Sequence, residues 1–181
     1  MINAKCKDMG SAGIKISAQE AKNMLDFHLQ ILQESLRILY DIKDEIKEKY
    51  GLPITVESYL KLKKFDIKVL DTLAYRFAKI QSILGERVFR EILEELEYDL
   101  DGKSYLDILQ AIEKEEIISS VFEWKRLREV RNTISHDYPE EIEFLVSAIN
   151  EMLSGIEVFD EIIKNIKEKY EYANKIKSKR D

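Results

Sequence analysis

The stretch from Glu123 to Glu140 gathers residues able to hold an anion and to move a proton. On a helical wheel Lys125, Arg128, Asn132 and His136 step 3, 4, 4 along one stripe, and Arg131 flanks it. Trp124, Leu127, Val130 and Ile134 face another side. From Lys125 to Arg131 there are four basic residues and one acid, a local +3 in a chain whose net charge is −6. Arginine offers a planar fork of donors that matches phosphate or carboxylate. Imidazole exchanges protons near neutral pH. Pro139 disfavours helical geometry at Tyr138, so the helix is expected to end near His136 or Asp137, where its carbonyls favour a protonated imidazole. A plainer reading uses the same residues. Arg128 and Arg131 could pair with surface carboxylates, and His136 could cap the last carbonyls. Spacing leaves both open: an anion site at a helix end, or a salt-bridged face.

Other chemistry has no foothold in the sequence. There is no phosphate-binding glycine loop, no GxSxG elbow and no HExxH. Two histidines far apart and a single cysteine give no metal set, so no metal or other cofactor is expected. His28, beside Leu25, Leu29 and Leu32, reads as a packed structural histidine. The acidic balance gives no overall attraction for nucleic acid, so any RNA contact must come from a local patch. No apolar run reaches the ~18 residues of a membrane span. The start lacks the charged and apolar stretches of a secretory signal, and a cytoplasmic protein is the expectation.

The positioning elements are expected to be helices. Six Gly and two Pro in 181 residues, with 45% apolar and 35% charged residues, argue for long helices over a many-turned β fold. Residues 1–16 read as a flexible leader. Ser17 and Glu20 look like a capping box opening a helix with the stripe Leu25, Leu29, Leu32, Leu36, Leu39, which stops at Gly51-Leu-Pro53. A second helix starts near Thr55 with the stripe Val69, Leu73, Phe77, Ile80, Leu84, Val88, running on through Ile92 and Leu96, with a kink or break expected at Gly85. Ser104 caps a short helix to about Lys114, and Ser120 and Glu123 box the start of the helix bearing the basic stripe. A last helix repeats Leu145, Ile149, Met152, Ile156, Phe159, Ile163, Ile166 and Tyr170. The fold class is all-α, an up-and-down bundle of four to five helices over residues 17–173, followed by a lysine-rich tail, 174–181. Helices of ~30 residues span ~45 Å, long enough for part of their stripes to pack against a second copy.

The run Arg131-Asn132, then His136 and Tyr138, resembles the motif of HEPN-domain proteins, an arginine and a polar residue with histidine five places after the arginine and tyrosine two beyond. Within that family it resembles most the HepT-like toxins encoded beside a minimal nucleotidyltransferase antitoxin. Glu123-Trp124 and Leu127-Arg128-Glu129 before the motif, and Tyr138-Pro139 closing it, fit the same group. Asp71 to Gln81, with Arg76, Phe77 and Lys79, resembles its second-helix signature. The resemblance covers residues 18–170.

It implies a helical homodimer whose two motifs line one cleft, acting as a metal-independent endoribonuclease on an RNA substrate. His136 would be the general acid or base and Arg131 the phosphate holder. Asn132 would orient His136 or bond the phosphate, and Arg128 and Lys125 would bind substrate. Asp71 and Arg76 either line the cleft or form buried pairs; Lys79 and Gln81 read as surface residues. The partner nucleotidyltransferase would attach AMP to Tyr138. The alternative within the family is a non-catalytic subunit that binds a nucleotidyltransferase as a scaffold.

Overall fold

The computed structural model describes residues 18–135 and 141–177, and among these every side chain except those of 18–23, 133–135 and 176. Among the described residues all regular structure is helical, with no strand. The elements are α1 (Ala18–Tyr50), α2 (Val56–Leu60), α3 (Lys64–Ile83), a π turn (Leu84–Val88), α4 (Phe89–Glu95), α5 (Tyr105–Lys114), α6 (Val121–Ser135) and α7 (Ile142–Lys177). Because the π turn joins α3 to α4 without a loop, these form six rods where four to five helices were expected. The additional one is α2, a single turn boxed by Thr55 and Ser58. The second helix is accordingly not continuous from Thr55: it restarts at Lys64, where the Asp66 carboxylate accepts from the Lys63 N–H at 2.9 Å.

Pairings along the rods give their directions. Tyr40 donates to Asp160 and Lys43 to the Leu153 carbonyl, so α1 and α7 run antiparallel. Tyr50 donates to Asp66 at one end of α1 while His28 meets Glu91 at the other, so α1 is antiparallel to the α3–α4 rod as well. Arg126 pairs with Glu151, and Asn165 donates to the Glu116 and Ile117 carbonyls, which sets α6 antiparallel to α7. The result is an up-down-up-down bundle, with α5 bridging α4 to α6. Its stripes are the ones the sequence marks. Leu25, Leu32, Leu39, Leu73, Phe77, Ile80, Ile156, Phe159 and Ile166 have no exposure at all. Burying such a side chain is worth about 1.5–3 kcal/mol, which is why the long helices hold together although isolated ones are marginal.

Several helix ends carry the signals the sequence marks. Gly51 closes α1 at φ +74°, a left-handed conformation open to glycine, and its N–H reaches the Lys47 carbonyl at 3.0 Å. Ser104 caps α5 with Asp107 reciprocating. The Ser120 hydroxyl accepts from the Glu123 N–H at 3.0 Å at the start of α6, while the Glu123 carboxylate accepts from the Ser119 hydroxyl, so the expected box is half-formed. α6 is helical as far as Ser135, and the stop expected near His136 or Asp137 lies outside the described residues. α7 continues through Lys177 into the segment read as a tail, and Lys177 bonds Glu95 at 2.7 Å. Residues 1–16 and the proposed cap Ser17 lie outside the described residues.

Two polar clusters lock α1 to its neighbour. Asp66, buried at 7% exposure, takes hydrogen bonds from Tyr50 at 2.7 Å, from the Lys63 N–H and from Lys49 at 3.2 Å. The Tyr50 hydroxyl first, then the Lys63 N–H, hold its carboxyl below the usual carboxylate range. His28 is buried, with Nδ1 2.9 Å from the Glu91 carboxylate, the structural histidine the sequence suggested.

Candidate functional site

α6 buries one face and presents another to a cavity. Trp124, Leu127 and Val130 are inside the core, at 2%, 6% and 6% exposure, as the wheel requires. One turn away, Arg128 and Arg131 line a cavity of about 390 Å³ together with Trp124. The opposite wall comes from the α3–α4 rod: Gln81, Ser82, Gly85, Glu86 and Arg90. Tyr105, at the first position of α5, also lines the cavity.

The π turn is what brings Arg90 there. In an uninterrupted α-helix, nine residues separate Gln81 from Arg90 by about 180° around the axis. A π turn takes up one additional residue, which turns everything after it back by about 100° and leaves Arg90 about 80° from Gln81. Gln81, Gly85 and Arg90 can then face the same cavity. Gly85 is buried, and a Cβ there would stand 2.8 Å from the Tyr105 hydroxyl and 3.1 Å from Trp124 Cζ2. Only the absent side chain lets α5 and α6 close this tightly on the rod. The Trp124 indole N–H donates to the Tyr105 hydroxyl at 2.9 Å, fixing the ring, and the Arg128 guanidinium lies over that ring at 5.5 Å from its centre. Arg90 reaches the Lys103 carbonyl at 3.5 Å.

Among the described residues that line the cavity there are three guanidiniums, those of Arg90, Arg128 and Arg131, and one carboxylate, that of Glu86. Among the described residues no ion pair neutralises Arg128 or Arg90. Deeper in the wall sits Gln81, at 4% exposure, with neither its amide nitrogen nor its amide oxygen hydrogen-bonded to any described residue. The cavity wall thus combines positive charge with a buried glutamine whose amide has no partner among the described residues.

Comparison with family models, curated proteins and solved structures finds no match to this chain.

The residues singled out from the sequence fall into three groups. Arg131 and Arg128 share the cavity. Lys125 and Asn132 are exposed and do not line it. Asp71 is exposed on α3, and Arg76 lies in a separate groove with Phe27, Gln30, Ile31, Glu34, Ser35 and Lys79. His136 and Tyr138 lie outside the described residues, as do Asp137, Pro139 and Glu140. Gln81 corrects the sequence reading: it is a buried residue, not a surface one, because the π turn and α6 close over it. Tyr105 and Arg90, which carry no role in the sequence reading, also line the cavity. Among the described residues no group of three or more His, Cys, Asp or Glu is placed to hold a metal ion. No described helix is long and apolar enough to cross a membrane.

Proposed function

We propose that this chain is a metal-independent endoribonuclease of the HEPN type, acting as a homodimer in which two copies of the Arg131–His136 segment form one cleft. What supports the reading is the convergence of Arg128 and Arg131 with Arg90 on one cavity next to the motif, in a chain that is otherwise acidic. A set of arginines meeting at a cavity suits a phosphodiester, whose charge grows as the phosphorus becomes five-coordinate. In the proposed reaction His136 takes the proton of a ribose 2′-hydroxyl, whose oxygen attacks the adjacent phosphorus. The bond to the 5′-oxygen breaks, and that oxygen takes up a proton from the acid of the pair. The products are a 2′,3′-cyclic phosphate and a 5′-hydroxyl end. General acid–base assistance of this kind contributes typically about 10²–10⁴-fold. Arg131 stabilises the phosphorane-like charge, and Asn132 orients His136.

Dimerisation follows from helix geometry. Arg131 and His136 are five residues apart, about 140° around an α-helix, so one helix aims them poorly at one phosphate. Two antiparallel copies can supply the arginine of one and the histidine of the other. Regulation enters at Tyr138, where a nucleotidyltransferase would add AMP and place negative charge beside the motif.

Purified protein incubated with RNA in excess chelator tests the reading. Cleavage leaving cyclic phosphate ends, lost in both His136→Ala and Arg131→Ala, is the expected result. A stable, folded protein with no cleavage leaves the scaffold reading, a non-catalytic nucleotidyltransferase-binding subunit, in its place. Cleavage that vanishes with chelator overturns the metal-independent chemistry. Solution scattering showing a monomer at micromolar concentration overturns the shared cleft.

A further inference from the structure

We infer that the cavity between α6 and the π turn holds the backbone of a single RNA strand beside the scissile bond, with Arg128 and Arg90 taking its phosphates and no base being read. This deepens the ribonuclease reading and rests on it for the place of the scissile bond. The arginines are spread along the cavity, not gathered at a point. α6 runs antiparallel to the α3–α4 rod, and Gly85 faces Trp124. From Trp124, Arg131 lies seven residues on along α6, towards the motif, a rise of about 10 Å. From Gly85, Arg90 lies five residues on along the rod, in the opposite direction, a rise of about 7 Å. Arg128 stands between them. A row of guanidiniums therefore leads away from the Arg131–His136 segment along one cavity of about 390 Å³. A lone small anion meets only neighbours in such a row, whereas a polymer with a charge on every unit meets all of them. A single nucleic-acid strand is such a polymer, with one phosphate per nucleotide.

Both outer guanidiniums are braced and still have donors to give. Arg128 lies over the Tyr105 ring at 5.5 Å, and the Trp124 N–H holds that tyrosine at 2.9 Å. Arg90 uses one donor on the Lys103 carbonyl at 3.5 Å. A guanidinium carries five N–H groups, so most remain for a ligand. Neither is in an ion pair among the described residues. The π turn that swings Arg90 into the cavity is a backbone device found disproportionately at functional sites. Arg131 belongs both to the cavity wall and to the motif, so a strand whose scissile phosphate rests on Arg131 has its next phosphates at Arg128 and then at Arg90. Contacts of this kind fix the register of a strand and carry no sequence information. An acidic protein segment would also satisfy the arginines, but nothing at the motif calls for one.

The full-length protein is titrated, across a range of salt concentrations, with short 2′-O-methyl oligonucleotides of several sequences, which keep the phosphates and lack the attacking hydroxyl. Affinity should fall linearly with salt on logarithmic axes. Arg128→Ala, on an exposed position, and Arg90→Gln should each make that slope shallower by about 0.7, a loss of about fivefold between 1 M and 0.1 M salt, and should weaken every sequence alike. Arg128→Lys keeps the charge and should restore the slope. With cleavable RNA, both losses should lower kcat/KM for a longer strand by more than for a dinucleoside monophosphate, whose one phosphate is the scissile one. Circular dichroism checks that each variant is folded. A slope unchanged in Arg128→Ala, weakening confined to some sequences, or a poly-glutamate peptide that binds as tightly as the oligonucleotides overturns the proposal. RNA cleavage with the slope unchanged sinks this inference and spares the ribonuclease. The expected slopes in a protein that cleaves no RNA keep the strand site and remove the ribonuclease.

Discussion

Replacing Gln81 by Met should make the protein more stable, an unusual expectation for a buried position in a close-packed core. Gln81 keeps 4% of its surface, and its two amide atoms have no partner among the described residues. Burying an amide without hydrogen bonds costs about 1–3 kcal/mol on the scale of protein substitutions. Methionine has nearly the same length, a similar helix propensity and no polar group to satisfy. The variant should recover most of that cost. For a domain of this size each kcal/mol moves the melting temperature by about 2–4 °C, so a rise of about 2–12 °C is expected in a thermal melt followed by far-ultraviolet circular dichroism. A variant with an intact spectrum that melts at or below the parent temperature would show the amide to be satisfied, and the reasoning about Gln81 would fail with it.

Gly155→Ala should destabilise. A Cβ there would stand 2.9 Å from both Leu127 Cδ2 and Phe77 Cε2, and the Phe77 ring is itself packed on Phe159 at 4.6 Å between centres. Overpacking at about 1–3 kcal/mol outweighs the helix-propensity gain of about 1 kcal/mol, and a melting temperature equal to or above the parent's would refute it. Asp66→Asn should cost stability at neutral pH and little in acid. The Asp66 carboxyl titrates below its ordinary range because Tyr50 and the Lys63 N–H hold the charged form. Its contribution is therefore complete above about pH 4 and fades as pH falls through the depressed value, so the gap between the two proteins should close on acidification; a constant gap from pH 7 to pH 2 contradicts this. Arg131→Lys should restore only part of the cleavage lost in Arg131→Ala, since an ammonium lacks the planar fork; full restoration would reduce its role to point charge. With ATP, magnesium and a cognate nucleotidyltransferase, mass mapping should find AMP on Tyr138, and unchanged modification of Tyr138→Phe would remove that residue from the proposal.

The bundle is legible because its information is periodic. Every residue of the α1 stripe and of the α7 stripe is buried, and Gly51, Ser104 and Ser120 end or begin helices where local backbone chemistry dictates. The cavity is legible only on one side. Trp124, Leu127 and Arg128 separate correctly onto core and cavity faces because α6 is a regular helix. The facing wall was missed, because Gln81 and Arg90 are half a turn apart on any regular helix. The sequence does carry a trace of the device that unites them. Ile80, Leu84, Val88, Ile92 and Leu96 follow one another in steps of four. Each such step overshoots an α-helix by about 40°, so the stripe would drift off the core unless a wider turn took the excess back. The kink expected at Gly85 located the disturbance but not its nature. Tyr105 could not be placed from sequence at all, since its role depends on how α5 crosses to α6.

The π turn also bears on which chain lengths this protein can tolerate. Deleting any one residue from Leu84–Val88 would leave a regular helix, a change that local energetics favour. It would also swing α4 by about 100°, taking Phe89, Ile92 and Leu93 out of the core and Arg90 away from Gln81. Helices usually accept point substitutions on their exposed faces; this one has a fixed count. Variation among relatives of this chain would be confined to substitution through Leu84–Val88, and length changes would fall in the connections on either side, between Leu96 and Lys103 or between Gly51 and Thr55.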